Sequence, residues 1–285
     1  MKNKSLLMLT LAMFLYGTIG IFRRYIFISS AQLAFCRGII GSITLFIWMK
    51  VNKKSFSKIN QHNLIYLILS GALMGFNWML LFEAYNYTSV ATATLCYYME
   101  PMMLILFSCF LFKEKISFKT LICIFISLLG MIFVSGIFET KISMNEYKGI
   151  LYGLSAAFLY TCVVLINKKI KDIDTYEKTI LQLCSASISL IPYICLNETI
   201  SLNIEPISII MIFILGIVHT GIAYALYFGS IPRLNSTSIA LFSYIDPVVA
   251  ILLSITILNE KISLLGIIGA FLILGSTIYS EFNKN

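Results

Sequence analysis

One duplicated segment constrains the fold of this chain more than any other feature of its sequence. An acid followed by proline stands inside an apolar run as Glu100-Pro101, and again as Asp246-Pro247 at a shift of 146 residues. Each copy leads into a charged turn, FKEKIS at 112–117 and LNEKIS from 258, and the alignment extends upstream to the triplet FLY at 14–16 and 158–160. The chain is therefore predicted to be one half-protein written twice, with the first repeat over 1–140 and the second over 141–285.

The composition indicates whether these repeats fold in water or in a membrane. Hydrophobic residues make up 59% of the chain and charged residues only 12%, which a soluble core cannot accommodate. The apolar runs are long enough to cross a membrane as helices. The sequence predicts an all-α integral membrane protein with ten transmembrane helices, at 6–22, 32–48, 64–82, 92–112, 120–138, 150–166, 179–195, 209–228, 238–258 and 262–279.

The distribution of Lys and Arg predicts the orientation of these helices. With the N-terminus in the cytoplasm, the inner loops hold about three times as many Lys and Arg as the outer loops. Both termini are then cytoplasmic, and the inner loops account for the net charge of +8 without a nucleic-acid partner. Because each repeat has five helices, an odd number, the second enters the membrane from the opposite side. Such inverted five-helix repeats build alternating-access transporters with a substrate site near the midplane.

The motifs together resemble those of the EamA-type members of the drug/metabolite transporter superfamily. The resemblance rests on the doubled acid-proline helix, the two charged turns, the two FLY triplets and Arg37 in the second span, and it covers nearly the whole chain. It implies a ten-helix fold of two inverted repeats. It also implies a secondary transporter of the cell membrane, mostly an exporter, for small metabolites such as amino acids or amines.

The sequence weighs against an enzyme, because it contains no nucleotide-binding loop, no His/Cys cluster and no nucleophile motif. No cofactor and no metal are predicted. The expected partners are a small-molecule substrate and the lipid bilayer, and the chain is expected to be a monomer. Two alternatives remain open, namely a membrane receptor or assembly subunit without turnover and, less favoured, an intramembrane enzyme. Proton coupling is left open as well.

Two acids and one arginine are candidates for gating or coupling. A carboxylate in the centre of a membrane helix costs about 2.5 to 3.5 kcal/mol, so Glu100 and Asp246 are expected to face a cavity or a partner. Pro101 and Pro247 are expected to free the carbonyl groups four residues back. The acids therefore either line a transport cavity or satisfy freed backbone groups. Arg37 is interpreted either as an interfacial anchor or as the ion-pair partner of Glu100 or of a substrate carboxylate.

Aromatic and polar side chains on several spans are candidates for substrate contacts. Rings that stack on a ligand and offer one polar tip suit a mostly apolar pocket. His219 is open to two interpretations, a hydrogen-bonded core residue or a proton relay. The complete set of predicted substrate-binding residues is Tyr16, Asn77, Trp78, Tyr97, Glu100, Tyr160, His219, Tyr224 and Ser243.

Overall fold

A computed structural model describes residues 2–53, 56–57, 59–112, 117–134, 143–198, 204–234, 239 and 242–282. The predicted repeat boundary at 140/141, most of the first charged turn at 113–116 and the start of the ninth span at 238 lie outside these residues. The described part contains helices and no strand. Its α-helices are α1 (Lys2–Arg24), α2 (Ser30–Val51), α3 (Gln61–Tyr87), α4 (Val90–Tyr97), α5 (Glu100–Phe112), α6 (Phe118–Val134), α7 (Met144–Asn167), α8 (Thr175–Asn197), α9 (Pro206–Ile214), α10 (Ala223–Ser230), α11 (Ile245–Thr256) and α12 (Leu264–Phe282).

Several helices begin where a polar side chain caps the first turn. The side chains of Ser29, Asn60 and Ser89 accept hydrogen bonds from backbone N–H groups at the starts of α2, α3 and α4. Ser143 forms a reciprocal capping box with Glu146 at the start of α7. Each cap satisfies a backbone donor that the helix itself leaves open, so the local sequence fixes where these spans begin.

The ten predicted spans are present, but three of them are not continuous α-helices. Seven segments are long and apolar enough to cross a membrane, and three shorter apolar helices occupy the remaining positions, at Phe118–Val134, Ile245–Thr256 and Leu264–Ser280. The fourth span is α4 followed by α5, with a turn at Tyr98 and Met99. The eighth span joins α9 to α10 through a π-helix at Leu215–Ile222, called the π segment below. Predicting each span as one helix was wrong at these two places and in the ninth span, where a turn at Tyr244 precedes α11.

The distribution of apolar surface fits a lipid environment. Large apolar side chains point outwards on the peripheral helices, where Phe110, Phe118 and Phe271 are each more than three-quarters exposed. Polar side chains such as Arg37 and Gln182 are buried inside the bundle instead. The interior also holds a large apolar core, so it is the extent of the exposed apolar surface that indicates a covering of lipid.

The largest helix contacts join the two halves, and each such contact has an equivalent made by the matching helices of the other repeat. Helix α1 packs on α10 and α11, and its repeat partner α7 packs in the same way on α3 and on α4 with α5. Helix α2 packs on the π segment, and its repeat partner α8 packs on α3. The fifth helices of the two halves, α6 and α12, pack on each other. A two-fold arrangement produces such reciprocal contacts.

The register of α6 against α12 shows that the halves are inverted. The Ser127 side chain in the middle of α6 bonds to Ser276, whereas Val134 at the end of α6 lies against Gly269, which is nearer the start of α12. The two helices are therefore antiparallel, although they occupy the same place in the two repeats. One repeat thus runs through the bundle in the direction opposite to the other, as the odd helix number predicted.

Gly130 marks the closest approach of α6 to α12 and gives a first prediction. A Cβ atom there would lie 2.8 Å from the Gly269 carbonyl oxygen and 2.9 Å from the Ile273 side chain. We expect Gly130→Ala to force the helices apart and to lower the free energy of unfolding by about 1 to 3 kcal/mol. The measurement is the melting temperature of the purified protein in detergent.

Gly275 provides the matched control on α12. A Cβ atom at this position would meet nothing within 4 Å. Because alanine also favours helix over glycine, Gly275→Ala is expected to melt at the same temperature or higher. Equal melting of Gly130→Ala and the wild type would show that the two helices do not depend on this contact.

Candidate functional site

A cavity of about 560 Å³ lies between the two halves of the protein. This volume is within the range of sites for small organic molecules. Both repeats contribute to its wall, and nine predicted site residues line it: Tyr16, Arg37, Trp78, Tyr97, Glu100, Tyr160, Tyr224, Ser243 and Asp246.

The two acids lie at equivalent helix breaks. Glu100 begins α5 directly after the turn at Tyr98 and Met99, and Asp246 stands in the first turn of α11 after a turn at Tyr244. The prolines that follow them are thus in first turns, where a missing N–H group costs no hydrogen bond. The expectation of prolines inside continuous helices was therefore wrong, because the chain is already broken two residues before each acid.

Tyr98 and Tyr244 meet where the two breaks face each other. They occupy equivalent positions in the repeats, and their ring centroids lie 6.5 Å apart. The Tyr98 hydroxyl donates to the carbonyl oxygen of Ser243 over 3.4 Å, so a side chain of the first half bonds to the backbone of the second. Sequence reasoning missed this pair, although both tyrosines precede an acid by two residues at the shift of 146.

Arg37 is buried in the wall of the cavity, with only 4% of its surface exposed. Its Nε donates to the Thr220 hydroxyl over 2.8 Å, and its guanidinium lies 4.3 Å from the ring centroid of Trp78. The structure therefore places the Arg37 charge in the interior of the bundle.

Gln182 occupies the position of Arg37 in the second repeat, and its side chain also donates hydrogen bonds inside the bundle. Its amide nitrogen donates to Ser70 over 2.6 Å and to the side-chain oxygen of Asn167 over 2.7 Å. Gln182 also lines the cavity. The two halves thus present one guanidinium and one neutral amide to the same space.

Two predicted substrate-binding residues lie behind the cavity wall rather than in it. The Asn77 side chain donates to the carbonyl oxygen of Ala156 on α7 over 2.6 Å. His219 bonds through Nε2 to the Thr18 hydroxyl over 2.8 Å and through Nδ1 to the carbonyl oxygen of Ile214. Both side chains join helices of opposite halves, and neither lines the cavity.

Sequence reasoning also missed several residues of the cavity wall. Tyr98, Tyr227 and Tyr244 increase its tyrosine content, and Lys178 adds a second positive charge. Their spacing alone could not separate them from packing residues, because tyrosines are frequent throughout the chain.

The cavity extends towards one end of the bundle, called the Lys2 end because α1 begins there. Its wall in this direction includes the end of α7 at Asn167, the start of α8 at Thr175 and Lys178, and Ile231 after α10. The other end, where α1 finishes at Arg24, is called the Arg24 end. No residue of the Arg24–Glu260 contact lines the cavity.

Polar contacts join the helices at the Arg24 end. Arg24 donates to one carboxylate oxygen of Glu260, and the other oxygen accepts hydrogen bonds from Ser254 and from the backbone N–H of Val90 over 2.8 Å. Arg24 also donates to the carbonyl oxygen of Thr88. These contacts, called the Glu260 cluster below, fasten the ends of α1 and α11 and the start of α4 to one another.

The fold and the site define a multi-pass membrane protein whose two inverted halves enclose a central cavity. The chain matches the EamA-like transporter family over residues 3–136 and 147–280, one match for each repeat. It belongs to that family, as the motifs of the sequence predicted.

Similar proteins and a similar structure agree with this assignment. An "Uncharacterized transporter YxxF" of Bacillus subtilis (strain 168) is 30% identical over 254 residues, which cover 88% of this chain and 81% of that protein. A "Probable amino-acid metabolite efflux pump" of Escherichia coli (strain K12) is 25% identical and aligns over 71% of each chain. A solved structure titled "Crystal structure of protein" has a TM-score of 0.67 at 19% identity and covers 99% of both chains, which shows that the fold is shared.

Proposed function

We propose that this protein is a secondary transporter that exports small metabolites, such as amino acids or amines, across the cytoplasmic membrane by alternating access. The observation that carries this proposal is the cavity between inverted halves, which extends towards the Lys2 end, together with the Glu260 cluster that fastens the Arg24 end of the bundle. A site exposed to one side while the other is closed is what alternating access requires.

The repeat supplies a corresponding contact at the opposite end of the bundle. Lys168 and Ser108 are the repeat equivalents of Arg24 and Ser254, and Lys168 Nζ donates to the Ser108 hydroxyl over 3.1 Å. Equivalent elements therefore meet through polar side chains at each end. This pairing supports a cycle in which the two ends open in turn.

The cavity wall supports a substrate that carries both charges and an apolar body. Arg37 offers a cation, Glu100 and Asp246 offer carboxyl groups, and tyrosine rings form much of the surface between them. An amino acid has this combination of groups, and an amine has one of its charges. The name of the Escherichia coli relative is consistent with the first of these.

The distribution of Lys and Arg supports a cytoplasmic position for the Lys2 end. The loop from α7 to α8 lies at this end and contains Lys168, Lys169 and Lys171, whereas the Arg24 end has fewer cations. In this orientation the cavity faces the cytoplasm, the side from which an exporter loads its substrate.

Counterflow in proteoliposomes tests the proposed function. Vesicles loaded with an unlabelled amino acid should accumulate the same labelled compound transiently, because a carrier exchanges substrate without chemical change. A receptor or assembly subunit would bind the compound without exchange, and an enzyme would alter it. Absence of counterflow across a panel of amino acids and amines would refute the proposal.

The two acids are expected to have divided their roles. Glu100→Gln keeps size and hydrogen bonding but removes the charge, and we expect it to reduce exchange or to flatten its pH dependence. We expect Asp246→Asn to be milder, whereas Asp246→Leu should lower the melting temperature because it leaves polar neighbours without a partner.

Exchange against pH and melting temperature, measured for each variant, test this division. Asp246→Asn serves as the control for Asp246→Leu, because it retains hydrogen-bonding groups. An unchanged rate and pH profile in Glu100→Gln would exclude that carboxyl group from the mechanism.

A further inference from the structure

The eighth span differs from its repeat partner at the level of Arg37. Helix α3 in the first half is α-helical throughout, whereas the second half contains the π segment at the corresponding place. The neighbouring residue differs too, since Arg37 on α2 is replaced by Gln182 on α8. Segments of π-helix are rare and are frequent at functional sites. Thr220 lies in the π segment and contacts Arg37, so both differences between the repeats involve this residue.

In the π-helix the Thr220 hydroxyl bonds to a carbonyl group five residues back, and its oxygen faces Arg37 as an acceptor. The hydroxyl donates to the carbonyl oxygen of Leu215, five residues back, over 3.0 Å. Because a hydroxyl has one proton, this bond leaves its lone pairs to accept the Nε–H of Arg37 at 2.8 Å. Gly41 on α2 permits the approach, since a Cβ there would collide with the Thr220 side chain.

The rest of the guanidinium is held flat and faces the cavity. Trp78 stacks on it at 4.3 Å and Phe82 lies at 5.7 Å. Within the described part of the chain, Nε has an acceptor and the two terminal nitrogens of Arg37 have none. Two parallel N–H groups of one guanidinium match the two oxygens of a carboxylate.

We propose that Thr220 is a positioning residue that holds Arg37 so that its terminal nitrogens bind one substrate carboxylate. This inference rests on the proposed function, and it assigns the carboxylate end of the substrate to the Arg37 side of the cavity. Gln182 offers no guanidinium at the equivalent position, so of these two residues Arg37 alone supplies a fork for a carboxylate.

The test compares three compounds that share one apolar body. Leucine carries an amino group and a carboxylate, 3-methylbutanoate lacks the amino group, and 3-methylbutylamine lacks the carboxylate. Trp48→Phe leaves Trp78 as the sole tryptophan, because the chain contains two, so its fluorescence reports binding beside Arg37 without any need for transport. Thr220→Val removes the hydroxyl at nearly constant volume, and Thr220→Ser restores it.

We expect Thr220→Val to weaken binding of leucine and 3-methylbutanoate about tenfold, since a hydrogen bond to a charged group is lost. Binding of 3-methylbutylamine should stay within about twofold, and Thr220→Ser should restore carboxylate binding. A purely structural role would weaken all three compounds alike, and that result would overturn the proposal. So would the absence of a response to both carboxylates in the Trp48→Phe protein. Selective weakening of carboxylate binding without leucine counterflow would instead refute leucine transport and support the role of Thr220.

Discussion

Arg37→Lys is expected to reduce substrate exchange at least tenfold while the protein is produced at its normal level. The guanidinium simultaneously donates to Thr220, stacks on Trp78 and presents two further N–H groups to the cavity. A lysine ammonium keeps the charge but cannot hold this planar geometry, and a lost charge-assisted hydrogen bond costs about 1.5 to 3 kcal/mol. The measurement is the initial rate of counterflow at equal protein content, with melting temperature recorded alongside.

Lys50→Arg is the matched control for this substitution. Lys50 lies in the last turn of the same helix and is exposed, so exchanging one cation for the other there should leave the rate unchanged. Exchange at the wild-type rate by Arg37→Lys would show that exchange does not depend on the planar guanidinium. A loss of rate together with a large drop in melting temperature would assign Arg37 to folding instead.

Glu260→Ala is expected to open the Arg24 end of the bundle. The Glu260 carboxylate accepts hydrogen bonds from α1, from the start of α4 and from Ser254 at once, so its removal releases three elements. A cysteine at Thr94, which lies in the cavity wall and is 4% exposed, reports access to the cavity in a background without native cysteines.

In intact cells an impermeant thiol reagent added outside should label this cysteine about tenfold faster in the Glu260→Ala variant. Lys261→Ala, at an exposed position next in the chain, is the control and should leave the labelling rate unchanged. Fast labelling before any substitution would show that the cavity is open to the outside. Equal slow labelling in both proteins would show that the Glu260 cluster does not keep this end closed.

The sequence by itself determined the number of spans, their approximate limits and the inverted relation of the two halves. These properties depend on local or countable features, namely the length of apolar runs, the spacing of the repeat and the odd number of helices in each half. It also indicated Arg37, Glu100 and Asp246 in the cavity wall, because an acid or an arginine in an apolar run is costly unless it faces a cavity or a partner. The family that the motifs suggested was confirmed by the match over both repeats.

Only the tertiary structure decided which of these side chains line the cavity and how they are held. Arg37 and Thr220 are 183 residues apart, and Arg24 and Glu260 are 236 residues apart, so no local pattern pairs them. Asn77 and His219 looked like ligands because they are polar residues in apolar spans, but the Asn77 amide nitrogen and the His219 Nε2 bond to Ala156 and Thr18 in the other half. The helix breaks at Tyr98 and Tyr244 and the π segment were likewise invisible in the sequence. Backbone irregularities at membrane depth are stabilised by partners on other helices, and those partners come together only when the two halves pack.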